Sequence, residues 1–201
     1  MSRAAIILAC LLALPAAART VTEEIGPWRL SCATDRMTDR TECRLRHAEP
    51  VERSAIGPAL TLEILERHGQ LLPAVTAREL GLDGAARGLL ALAGAAQLRL
   101  DRNAMMELPC ALEGRSLVCA PRAADAPRAA AELPAAERAL VRMTGLGTQA
   151  GAAEPTELRL SDTRTAMERL RRLQPPGSAP PPPPPGLDLR ELLGRGLRLM
   201  Q

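Results

Sequence analysis

The chain has 201 residues and sets 26 basic side chains against 23 acidic ones, a net charge of +3 at pH 7. Every Lys/Arg-type position is arginine, Phe and Tyr are absent, and Trp28 is the only tryptophan. A lysine nucleophile, a Schiff base and a tyrosine acid are thereby excluded, and single-stranded bases would find almost no aromatic platform. With so balanced a charge, nucleic acid is not an expected partner.

Residues 1–18 read as a secretory signal. Arg3 supplies the charged start, Ala4–Leu14 the apolar run and Ala16–Ala18 the small-residue cleavage site. The run has eleven residues, short of the roughly 20 a bilayer span needs. Cys10 sits in a faint lipoprotein-like box, but apolar Leu11–Leu14 follow it, so it belongs with the discarded segment. The expected mature chain starts at Arg19 and keeps four cysteines, an even number suited to an oxidising compartment.

The stretch Gly26–Leu45 then reads as a hairpin. Trp28, Leu30 and Cys32 alternate on one arm and Thr41, Cys43 and Leu45 on the other, with a polar turn over Thr34–Arg40. His47–Pro58, with two prolines, reads as a connection. Ala59–Glu66 places Leu60, Leu62 and Ile64 on one face. His68-Gly69 turns the chain into Gln70–Thr76, a second hairpin interrupted by Pro73. Ala77–Leu92 is ambiguous because Gly81, Gly84 and Gly88 each weaken a helix by about 1 kcal/mol. Alternation resumes at Gln97–Asp101, with Leu98 and Leu100 facing in.

Cys110–Cys119 forms a further hairpin if Glu113-Gly114-Arg115-Ser116 is a four-residue loop. Leu112 then pairs with Leu117, and Cys110 falls opposite Cys119. Directly opposed antiparallel residues have Cα atoms roughly 4.5–5.5 Å apart, which suits a disulfide. A turn centred on Met37-Thr38 likewise sets Cys32 opposite Cys43. Two bridges are therefore expected, Cys32–Cys43 and Cys110–Cys119.

Ala123–Ala139 suggests a short helix starting at Pro134. Val141–Thr144 and Glu157–Leu160 read as closing strands around a Gly-rich turn at 145–151. Ser161 or Asp162 is placed to cap a helix over Thr163–Leu173, whose apolar stripe is Ala166, Met167, Leu170 and Leu173. Residues 175–186 contain six successive prolines, a polyproline II rod that cannot join a packed core. The amphipathic tail 187–201 opposes Leu189, Leu192, Leu193, Leu197 and Met200 to Arg190, Arg195 and Arg198.

In their order these features resemble the invasion-associated locus B family of bacterial envelope proteins. The shared elements are a signal peptide, W-x-x-x-C at Trp28–Cys32 and C-x-L at Cys43–Leu45. A strand ending in Asp (Leu98–Asp101), a second cysteine pair and a strand followed by a small helix at Leu158–Leu173 complete the likeness. The family's second cysteine pair is usually closer, often with Gly before the last Cys, where this chain has Val118. Its Gly-Phe near the last helix is replaced by Asp162-Thr163. The resemblance implies a β-rich periplasmic or surface-associated domain without established catalysis.

The expected fold is thus mainly β, an antiparallel β-sandwich-like domain over 19–174 with one or two short helices. A polyproline linker and a short amphipathic segment follow. No catalytic, cofactor or metal site emerges. There is no C-x-x-C, no zinc spacing and no G-x-S-x-G elbow around Ser31, Ser54, Ser116 or Ser161. Of the two histidines, His68 beside Gly69 reads as a turn residue. The candidate partner-binding residues are Asp35, Arg36, Asp39 and Arg40 on the first hairpin and Leu189, Arg190, Leu193 and Leu197 in the tail. The expected role is a non-enzymatic periplasmic or secreted interaction protein, with an envelope protein or an anionic membrane surface as the tail's partner. A hydrolase acting on envelope polymers and a purely structural envelope protein are the alternatives.

Overall fold

The computed structural model describes residues 20–53, 58–80, 94–144, 154–175 and 177–178. The signal segment, the glycines at 81, 84 and 88, the 145–151 turn, the proline run and the tail with Leu189, Arg190, Leu193 and Leu197 lie outside the described residues.

Ten strands form one sheet in which every neighbouring pair is antiparallel. They are β1 (Thr20–Ile25), β2 (Trp28–Thr34), β3 (Thr41–Glu52), β4 (Leu60–Arg67) and β5 (Gln70–Ala77). Then come β6 (Ala95–Leu100), β7 (Met106–Glu113), β8 (Ser116–Cys119), β9 (Arg138–Thr144) and β10 (Thr156–Arg159). Their spatial order is β1-β2-β3-β4-β5-β8-β7-β6-β9-β10. Helix α1 (Ala126–Glu132) runs into a 3₁₀ turn at Leu133–Ala135, and helix α2 is Thr163–Leu173.

The sheet folds over on itself. Strand β10, at one end of the order, lies against the second half of β3. Thr156 Oγ1 donates to the Val51 carbonyl at 2.8 Å, and His47 Nε2 meets the Arg159 carbonyl at 2.8 Å. One edge is thereby covered, and among the described residues β1 pairs with β2 alone. The core between the layers is rich in leucine: Leu30, Leu45, Leu62, Leu98, Leu100, Leu108, Leu133, Leu158 and Leu160 are buried around Trp28. Ala166, Met167 and Leu170 of α2 close it, with Leu173 packed at its margin.

Both expected disulfides form, Cys32–Cys43 and Cys110–Cys119, each between directly opposed residues. The hairpin of β7 and β8 is tighter than expected. Glu113 pairs with Ser116, so the turn has two residues, and Gly114 at φ 59° supplies the left-handed first position of such a turn. His68 and Gly69, at φ 52° and 77°, make the two-residue turn between β4 and β5.

Four local readings are corrected. His47–Pro58 is not simply a connection, because β3 runs on to Glu52. Pro50 sits between two register shifts, where the ladder asks for no regular donor. Pro73 does not interrupt β5. It pairs with Ile64, three places from the turn, and there the missing N–H points away from β4. The alanine-rich helix is Ala126–Glu132 rather than one starting at Pro134. Pro127 fits the first turn, where no intrahelical N–H is needed, while Pro134 lies in the 3₁₀ turn that ends it. Finally, neither Ser161 nor Asp162 caps α2 through a side chain. Asp162 takes a left-handed conformation at φ 60° and turns its carboxylate towards Gly26.

Candidate binding surface on the first hairpin

The pairing of β2 with β3 decides which side chains the first hairpin buries. Trp28 opposes His47, Leu30 opposes Leu45 and Cys32 opposes Cys43, all on the core face. Trp28 is 0% exposed, and its indole N–H donates to Thr163 Oγ1 at 3.0 Å. The Thr163 hydroxyl in turn donates to the Leu160 carbonyl at 2.6 Å. The His47 ring meets the indole edge-on, with centroids 5.5 Å apart. His47 Nε2 lies 2.8 Å from the Arg159 carbonyl, and Nδ1 lies 3.1 Å from both the N–H and the carbonyl oxygen of Glu49. Both ring nitrogens are committed to the main chain, and the histidine joins strands instead of facing a substrate. With Trp28 buried and no Phe or Tyr, no tryptophan, tyrosine or phenylalanine ring faces solvent as a ligand platform.

Beyond the disulfide the two strands separate at the Thr34–Thr41 pair, whose hydroxyls lie 3.0 Å apart. Residues 35–40 form the tip. The Asp35 N–H donates to the Arg40 carbonyl at 2.9 Å, and Asp35 Oδ1 accepts the Met37 N–H at 2.7 Å, an Asx-type turn. Asp39 completes the reversal at φ 53°. All six residues are exposed, Met37 at 92%. Asp35, Arg36, Asp39 and Arg40 thus come together on one short loop, and none forms an ion pair among the described residues.

The loop borders a groove of about 640 Å³. Its lining includes the hydroxyls of Thr20, Ser31, Thr34 and Thr38, the carboxylates of Asp35, Glu42 and Glu79, and the guanidinium groups of Arg40 and Arg44. Glu79, which follows β5, joins this lining from outside the first hairpin. Such a lining offers hydrogen bonds and charge of both signs around an apolar floor that includes Cys32 and Ala33. That chemistry suits reversible contact with a polar partner better than enclosure of a small molecule. Among the described residues no group of three or more His, Cys, Asp and Glu could hold a metal ion.

A second cleft, about 550 Å³, lies where β9 and β10 meet the start of α2. Arg138, Arg159 and Arg164 line it with Glu137, Glu157 and Asp162, so its formal charges balance. The sequence reading missed a further polar cluster on β4 and β5. Glu63, 2% exposed, accepts from Arg78 through Nε at 2.9 Å and Nη2 at 2.8 Å, and from the Thr76 hydroxyl at 2.6 Å. The strand alternation that faces Leu62 and Ile64 inward faces Glu63 the other way, but nothing in the sequence marks that face as buried.

No family model matches the chain, and no curated protein does. Among solved structures it is similar to the crystal structure of invasion associated protein B from Bartonella henselae. The identity is 17%, over 77% of this chain and 98% of that one, with a TM-score of 0.48. This is a distant structural likeness that neither assigns the family nor transfers a role. Among the described residues no helix is long and apolar enough to cross a membrane.

Proposed function

We propose that this protein is a non-enzymatic interaction protein of the bacterial cell envelope that works from its first hairpin. The observation that carries the reading is the exposed loop 35–40, clamped at its base by the Cys32–Cys43 bridge and bordering a groove rimmed by charges of both signs. A staple beneath a loop lowers the entropy lost when a partner orders it, as a preformed recognition tip requires. The two disulfides support an oxidising compartment, the periplasm or the exterior. In this reading the segment 187–201, carried beyond the proline run, adds a second contact to an envelope protein or an anionic membrane face.

Replacing residues 36–39 by Gly-Ser of equal length tests the reading. The variant should keep both bridges and its melting temperature but be released from the sedimenting envelope fraction. Undiminished sedimentation of a correctly bridged variant would show that the loop is not the contact.

A further inference from the structure

The register that sets Cys32 opposite Cys43 also sets two arginines face to face. Arg29 of β2 is the direct partner of Arg46 of β3, on the outer face of the sheet. Like charges directly opposite on neighbouring strands destabilise the pairing, so such a pair calls for a compensating anion. Arg29 has part of one: Glu24, its partner in β1, accepts from its Nε at 3.3 Å and Nη2 at 2.8 Å. Arg46 has none. Its partner on the other side is Glu63 of β4, but both Glu63 oxygens are engaged by Arg78 and Thr76. Arg46 is therefore exposed and forms no ion pair among the described residues. Arg44, on the same face two residues away, reaches only the exposed Glu42, at 3.1 Å.

We propose that this arginine face is a binding surface for an extended acidic segment of a protein partner. One carboxylate would sit between Arg29 and Arg46, and the next would meet Arg44. Same-face positions along a strand repeat every ~6.7 Å, in β3 and in an extended peptide alike, so alternate carboxylates stay in register with Arg46 and Arg44. The described residues favour a peptide over a lipid surface. The exposed large apolar side chains are Val21, Met37 and Met105, and none belongs to the row formed by Arg29, Arg44 and Arg46. The proposal rests on the reading of the protein as an interaction module and gives its partner a chemistry.

Fluorescence anisotropy of a labelled octaglutamate peptide with the purified protein tests it, beside flotation with phosphatidylglycerol vesicles. Arg46→Gln should weaken peptide binding about tenfold, the size expected for one charge-assisted contact. Arg171→Gln changes net charge equally, at an exposed site on α2, and should leave binding unchanged. Arg46→Gln should also melt no lower than the parent, because it relieves a repulsion. Equal weakening by Arg171→Gln, binding to vesicles without binding to peptide, or a clear fall in the melting temperature of Arg46→Gln would each overturn the assignment. If octaglutamate fails to bind while the 36–39 replacement still frees the protein from the envelope, the acidic-segment assignment falls and the interaction reading stands.

Discussion

Trp28 and Thr163 are 135 residues apart in sequence, and one buried hydrogen bond joins them. Removing its acceptor leaves the indole N–H unsatisfied, at a cost of about 1–3 kcal/mol. Thr163→Val is expected to lower unfolding stability by that amount in urea. An unchanged midpoint would show that the indole finds another partner. Gly26 is constrained twice over: its φ is 56°, and a Cβ built on it would lie 2.5 Å from Asp162 Oδ2. We predict that Gly26→Ala destabilises the fold and that Asp162→Ala in the same chain recovers only part of the loss. The remainder is the left-handed backbone cost, about 1–2 kcal/mol, together with the tight contact to the retained Cβ of residue 162, 3.1 Å away. Full recovery would mean that the steric contact alone matters.

Hairpins are the elements the sequence states most clearly, because period-2 alternation and turn residues agree at the same places. Cys32 with Cys43, Leu112 with Leu117, and the His68-Gly69 turn were all readable from spacing. The Arg29–Arg46 pair follows from the same register as Cys32–Cys43. Other features were not legible. Helix α1 is an alanine run with a proline near each end, and tertiary packing of Ala129 and Leu133 decides where it starts. The burial of Glu63 depends on what covers a face that alternation alone marks as outward. The bridges close separations of 11 and 9 residues, for which chain entropy gives roughly 3 kcal/mol each. Cys32→Ser with Cys43→Ser should therefore lower the melting temperature and weaken envelope association together. A fall in melting temperature with association intact would separate the staple from the function of the loop.

At the scale of the whole molecule, the sheet closes because β3 serves two layers. Its first half pairs with β2, and its second half receives β10 through His47 and Val51. The chain then leaves α2 across β3 and β4, where Gln174 Oε1 accepts the Cys43 N–H at 2.6 Å and the Gly177 N–H donates to Glu66 at 2.9 Å. Removing residues 179–201 should leave the melting temperature unchanged, since the anchors at Gln174 and Gly177 lie before the cut. A truncated chain that unfolds would place the tail in the core instead. The central claim is that the first hairpin, rather than another part of the surface, meets the partner. It is tested most directly by photo-crosslinking in living cells from position 37, at the loop tip, against position 105, also an exposed methionine. A discrete adduct is expected from position 37, weakened when Arg46→Gln is added, and none from position 105. An adduct from position 105 with none from position 37 would contradict it.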